Sequence, residues 1–286
     1  MRFRLPNALL ATGLLLSSAI VALGGCAPSP LHLDPLNTSG RDGGGPPLTY
    51  PALMRIGDAA YHAGDFANAV NLYRRAAQLA PRDPAPFVAL AAALLRMDKV
   101  DEAILADNSA LARDPQNLPA LQGLAKAYLL TGRPELALAP LDKALARQPN
   151  DPKLLLLLAL TKDQVGQYGQ AQAIYRQAQQ LAPDDPAVAV DLALSLALSG
   201  DYETAIAELR PLAMAPFGTA AERQTLSLLY GLAGDREEAA RLGRIDLDAA
   251  AVAHNLAYID TLRLLSPQAR ARALLSLGRG GAGGAS

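Results

Sequence analysis

Small and apolar residues recur along this chain with a period of 34 residues. Ala69, Ala103, Ala137, Ala171, Ala205 and Ala239 stand on one such grid. Gly64, Gly132, Gly166, Gly200 and Gly234 stand on a second, with Asp98 in its remaining slot. A period of this length is that of helix pairs stacked side by side. Alanine lets two helices approach closely without loss of rotamer entropy. Glycine near the end of a first helix allows the tight turn into a second. Pro81, Pro115, Pro149 and Pro183 stop the second helices and redirect the chain. The pattern therefore predicts an all-α chain of about six helix pairs over residues 50–249, starting near Tyr50, Pro84, Leu118, Pro152, Pro186 and Ala220. Tyr73 and Tyr175 hold equivalent positions and are expected to fill the gap inside their pairs.

Two pairs depart from the pattern. The second has Asp98 in the glycine slot, and aspartate tolerates such a turn. The fifth has Pro211 inside its expected second helix, which should shorten or kink it ahead of a loop at Ala215-Pro216-Phe217-Gly218. Residues 250–277 read as a C-terminal capping helix region, in which 250–265 form a terminal helix with Val252, Leu256, Ile259 and Leu262 as one packed stripe. Residues 278–286 are nearly all Gly and Ala and read as a disordered tail.

The N-terminus carries a different signal. Arg2 and Arg4 precede an apolar run from Leu9 to Leu23, which is short for a permanent membrane span. It ends in Leu23-Gly24-Gly25-Cys26, which resembles the processing motif of bacterial lipoproteins. The resemblance implies that residues 1–25 are a signal peptide and that Cys26 becomes the lipidated first residue of the mature chain. Two or more acyl chains hold a protein firmly on a bilayer. Ala27 follows the cysteine, which in the usual enterobacterial sorting pattern favours the periplasmic face of the outer membrane. Residues 26–49 include Gly43-Gly44-Gly45-Pro46-Pro47 and read as a flexible tether between lipid and folded body.

Composition narrows the function. Formal net charge is -1, aromatic residues make up 5% and tryptophan is absent, so nothing points to a nucleic-acid partner. Cys26 is the single cysteine, and His32, His62 and His254 share no metal-ligand spacing. The repeat glycines do not form a phosphate loop, and no Ser/His/Asp arrangement or paired-carboxylate site is evident. The sequence is read as that of a non-enzyme that takes no cofactor and no small-molecule substrate.

The repeat resembles the tetratricopeptide repeat. Gly57, Ala60, Gly64, Ala69, Tyr73, Ala76 and Pro81 carry the resemblance in the first unit, and Leu158, Ala159, Gly166, Tyr168, Ala171, Tyr175, Ala178 and Pro183 in the fourth. It implies a superhelix of antiparallel helix pairs whose first helices line a partner groove. Projected onto this register, the candidate groove is Val88, Ala92, Leu95, Leu129, Leu130, Leu156, Leu160, Leu194 and Leu198. The candidate polar rim is Tyr61, His62, Arg96, Gln122, Lys126, Asp163 and Gln164. An apolar strip with a polar rim suits an amphipathic helix or an extended apolar peptide. The same leucines also suit packing between repeats or support of the terminal helices, and the groove as a whole is read more firmly than any one member.

The C-terminal half carries a narrower likeness. Asp191-Leu192-Ala193-Leu194-Ser195-Leu196-Ala197-Leu198, Tyr230-Gly231-Leu232-Ala233-Gly234-Asp235 and Asn255-Leu256-Ala257-Tyr258 look like the TadD lipoproteins of tight-adherence (Flp) pilus systems. That resemblance implies a pilotin or assembly factor for the outer-membrane secretin through which the pilus emerges. The alternatives are a scaffold for a type IV pilus or another cell-envelope complex, or a regulatory subunit of an envelope enzyme.

Overall fold

The computed structural model describes residues 48–279. The expected signal peptide, Cys26, almost all of the expected tether and residues 280–286 lie outside the described residues. Within them the secondary structure is fourteen α-helices and no strand.

The described residues divide into two compact units between Arg147 and Gln148. The first contains three helix pairs: α1 (Tyr50–His62) with α2 (Phe66–Leu79), α3 (Ala85–Arg96) with α4 (Val100–Leu111), and α5 (Leu118–Leu130) with α6 (Pro134–Arg147). The second contains α7 (Pro152–Gln164) with α8 (Tyr168–Leu181), α9 (Pro186–Ser199) with α10 (Tyr202–Ala213), and α11 (Ala220–Ala233) with α12 (Arg236–Asp246). It ends in α13 (Ala249–Arg263) and α14 (Pro267–Arg279).

Short polar residues open these helices. Asn117, Asp151 and Asp185 accept backbone N–H groups at the starts of α5, α7 and α9, where proline sits in the first turn. Thr219 and Glu222 form a reciprocal capping box on α11. Asp65, Asp201 and Asp235 cap three of the second helices. The turn within each pair needs a left-handed residue. Gly64, Gly132, Gly166, Gly200 and Gly234 supply it with φ between 65° and 105°. Asp98 supplies it in the second pair at φ 59°, the one non-glycine residue with positive φ among the described residues.

In the first unit the core gathers Ala69, Val70, Tyr73, Leu90, Leu94, Ala103 and Ala106. The Tyr73 ring lies so close to Gly57 that a β-carbon there would stand 2.6 Å from Cε1, which explains why this helix face carries glycine. Arg113 and Arg147 staple successive pairs by donating to the carbonyls of Pro81 (2.6 Å) and Gln116 (3.1 Å). In the second unit the core is built on Tyr175, Leu192, Leu196, Leu209, Leu226 and Leu229.

Pro211 sits in the last turn of α10, which has 12 residues where α8 has 14. The helix ends at Ala213 and the loop bearing Phe217 follows, with that ring 82% exposed. Pro140 lies inside α6 without ending it.

The C-terminal region holds a second helix after the one that the sequence reads over residues 250–265. The stripe Val252, Leu256, Ile259 and Leu262 is buried as α13 packs on α11 and α12. The chain then breaks at Leu264–Ser266, and α14 turns back to lie against α9. Gly278 and Arg279, which the sequence assigns to the tail, belong to the last turn of α14.

Candidate partner surface

The predicted groove residues fall in both units. In the first, Val88, Ala92 and Leu95 on α3 are half-buried. Val88 packs beside buried Phe87, and Leu95 packs against the core around Leu94. Leu130 on α5 is half-buried, but Leu129 is fully buried. Leu129 is therefore corrected from groove to core: two adjacent helical positions face different directions, and this one points inward between the helices. The rim residues His62, Arg96 and Lys126 are exposed, and Tyr61 and Gln122 are half-buried. Tyr61 packs edge-on to Phe66 at 5.4 Å, and the Arg96 guanidinium stands 4.5 Å above the Phe66 ring.

In the second unit, Leu156, Leu160, Leu194 and Leu198 are half-buried, as is Gln164. Leu156 and Leu160 pack against the core around Tyr175. Leu198 packs against a cluster that includes Leu274 of α14, so the chain's own C-terminal helix lies over that end of the strip. Asp163, placed on the rim by sequence, is only 3% exposed. It is corrected to a buried residue. It accepts the Ser195 hydroxyl at 2.7 Å through Oδ1 and the Tyr175 hydroxyl at 3.1 Å through Oδ2.

Sequence reasoning missed this buried polar cluster. Burial raises the Asp163 pKa to about 7 against the lowering effect of the Ser195 and Tyr175 hydrogen bonds. Burial also raises Asp191 to about 7, with the negative charges of Asp163 and Asp185 adding to the shift. Tyr175 is held well above its ordinary value, first by burial and then by Asp191 and Asp163. A second buried carboxyl, Asp107, is 1% exposed, and its Oδ2 has no hydrogen-bond partner. Burial raises its pKa to about 8. Asp107 faces Gly123, where an added β-carbon would stand 2.4 Å from Oδ2. For Asp107 the signal was available: it occupies the slot held by Tyr73, Leu141, Tyr175 and Leu209, all of them buried.

Asp107 and Asp163 are enclosed by helices, so their role is to shape the packing rather than to meet a solute, whereas Asp191 is half-buried. Among the described residues no group of three or more His, Cys, Asp or Glu is placed to hold a metal ion. No described helix is long and apolar enough to cross a membrane. What each unit offers on its helix faces is half-buried leucines flanked by polar side chains, which is the chemistry of protein–protein contact.

A family model described as tetratricopeptide repeat matches residues 108–160 and 164–227, and a second such model matches residues 50–83. A tetratricopeptide repeat protein from Parabacteroides merdae ATCC 43184 superposes with a TM-score of 0.61 at 17% identity, over 75% of this chain and 85% of that one. The pilF protein of Pseudomonas aeruginosa superposes at 0.60 with 21% identity, over 73% of this chain and 97% of that one. MamA from Desulfovibrio magneticus RS-1 superposes at 0.53 with 20% identity, over 57% and 92%. At these identities the likeness is one of fold. No curated protein matches the chain.

Proposed function

The chain belongs to the tetratricopeptide-repeat family, whose models match more than half of it, and from that premise we propose that it is an outer-membrane lipoprotein acting as pilotin or assembly factor for the secretin of a Tad/Flp pilus. The observation that carries the reading is the pairing, in one chain, of a lipoprotein-type Leu23-Gly24-Gly25-Cys26 with an array of helix pairs presenting half-buried leucines. Lipid on Cys26 fixes the place, residues 27–49 give reach, and the helical surface holds a segment of the secretin. Such a protein works by mass action. Holding a partner at the membrane raises its local concentration without any chemical step. The C-terminal segments around Gly231-Leu232-Ala233-Gly234 and Asn255-Leu256-Ala257-Tyr258 support the Tad assignment by their likeness to TadD proteins. The reading includes no nucleotide, metal or nucleic acid.

The test is complementation in a strain lacking the protein. Wild-type chain restores secretin multimers to the outer-membrane fraction, whereas Cys26→Ser leaves the chain soluble and the secretin mislocalised. Normal secretin assembly in the strain lacking the protein contradicts the proposal.

A further inference from the structure

We propose that the loop bearing Phe217, with the ends of α10 and α12 beside it, is a membrane-contact tip that seats on a phospholipid surface with acidic headgroups. The proposal rests on the reading of this chain as a lipoprotein, whose anchor keeps such a surface within reach.

The tip is built around exposed apolar side chains. Phe217 is 82% exposed, Met214 44% and Ile245 49%. The loop is held in this form. Gly218 donates its N–H to the Ala215 carbonyl at 2.9 Å, and a β-carbon on Gly218 would stand 2.4 Å from the Ala213 carbonyl oxygen. Arg223 donates to the Gly218 carbonyl and to both carboxylate oxygens of Asp246, the last residue of α12. It thereby ties the Phe217 loop to the end of the helix that carries Ile245.

Cations flank these side chains. Arg210 stands one turn before Met214 on α10, and Arg244 adjoins Ile245 on α12. Both are exposed, and neither enters an ion pair among the described residues. The outer faces of the two helices are neighbours. Arg241 donates to both Glu238 oxygens at 2.6 Å and is the first cause that holds this carboxyl below its usual range, and the charge of Arg210 adds to the effect. The nearby acids are engaged or turned aside. Arg223 holds Asp246, Glu222 accepts the Thr219 N–H, and Asp248 accepts the Ala251 N–H. Glu208 lies on a different side of α10 from Arg210 and Met214. The first-turn acids Glu203 and Glu237 lie at the opposite ends of the two helices. Arginine near a helix C-terminus also complements the macrodipole. That accounts for the two charges and not for the bare apolar side chains between them.

A ring this exposed lies in no cleft, so a protein partner would have to supply the whole pocket. A bilayer interface is fluid and closes around a projecting side chain, while its phosphates meet the arginines. The contact is peripheral, since no described helix is long and apolar enough to cross a membrane.

The chain contains no tryptophan, so Phe217→Trp puts a single fluorophore at the tip, and its signal reports the tip and not the anchor. The full chain with this change is mixed with vesicles of phosphatidylethanolamine and phosphatidylglycerol. Its emission should shift to the blue and be quenched by brominated acyl chains. Lys153→Trp, at an exposed position on α7, should show neither effect. Adding Arg210→Glu and Arg244→Glu to Phe217→Trp should remove most of the shift, as should vesicles of phosphatidylcholine alone. All the substituted side chains are exposed, and unchanged helical circular dichroism checks that each variant is folded. Unchanged emission of Phe217→Trp on vesicles, or an equal shift with Lys153→Trp or with phosphatidylcholine, overturns the proposal. A shift that appears with solubilised envelope proteins and not with vesicles overturns it in favour of a protein partner. The readout involves no secretin, so failure here is distinct from failure of the pilotin reading.

Discussion

Ser195 on α9 donates its hydroxyl to Asp163 on α7 at 2.7 Å, joining two successive helix pairs through a buried carboxyl. Tyr175 on α8 completes the arrangement from within the first of those pairs. The bond is useful only while Asp163 can be accommodated without full solvation, and this makes the second unit sensitive to pH. The raised pKa values of Asp163 and Asp191, each about 7, mean that the folded state holds protons that the unfolded chain releases near pH 4. Asp107, at about 8, acts in the same sense in the first unit. Stability is therefore greatest below pH 4 as far as these groups are concerned, and falls as pH rises through 7 to 8. The slope is at most about 1.4 kcal/mol per pH unit for each titrating group. Thermal melts from pH 5 to pH 8.5 should show Tm falling with pH, and Asp163→Asn should flatten that dependence. A Tm that rises over this range contradicts the assignment.

Asp107 and Gly123 form a second coupled pair, this one by contact. Gly123→Ala places a β-carbon 2.4 Å from Oδ2 and 3.0 Å from Oδ1 of Asp107. The carboxyl is enclosed and short, so it cannot swing away. The expected cost is about 1–3 kcal/mol. In an Asp107→Ala background the same change should cost less than about 0.5 kcal/mol, a coupling that a double-mutant cycle by urea unfolding reads directly.

Asp98 turns the chain where the other pairs use glycine, at φ 59°. Asp98→Gly relieves the left-handed strain of a residue with a β-carbon, at some loss through the freer unfolded chain. A net gain of about 0.5–1 kcal/mol is expected in chemical denaturation. The opposite change at an equivalent turn, Gly166→Ala, should destabilise by about 1 kcal/mol.

Leu156 and Leu160 test the division between surface and core. Both are half-buried and pack against the cluster around Tyr175. Changing both to Asp should cost about 3 kcal/mol or more by desolvating carboxylates beside apolar walls. Lys126→Glu, at an exposed position, should leave the melting curve within about 0.5 kcal/mol of wild type.

The helix pairs were legible because their causes are local and repeat. Proline in the first turn, glycine in the left-handed turn and alanine at the helix crossing each act within a few residues, and the period multiplies the signal. Asp98 was legible for the same reason. Leu129 and Asp163 were not, because the register alone did not settle which positions in an all-apolar helix face inward. In α7, leucine fills five successive positions from Leu154 to Leu158, and in α5 only Gln122 and Lys126 interrupt a largely apolar helix, so the polar marking of the exposed face is slight or absent. Helix α14 was missed because the apolar stripe of α13 shows where that helix packs and carries nothing about the next. The position of α14 against α9 depends on Arg270 reaching Tyr202, a contact between residues far apart in the chain.

Everything proposed for the function turns on whether this chain holds the Tad secretin at the outer membrane. Crosslinking in the native cell envelope, followed by mass spectrometry of the recovered complexes, addresses that point without an intermediate step, with Cys26→Ser as control. The secretin should be recovered with the wild-type chain and lost with Cys26→Ser. Recovery of a different envelope complex, without secretin, contradicts the proposed role.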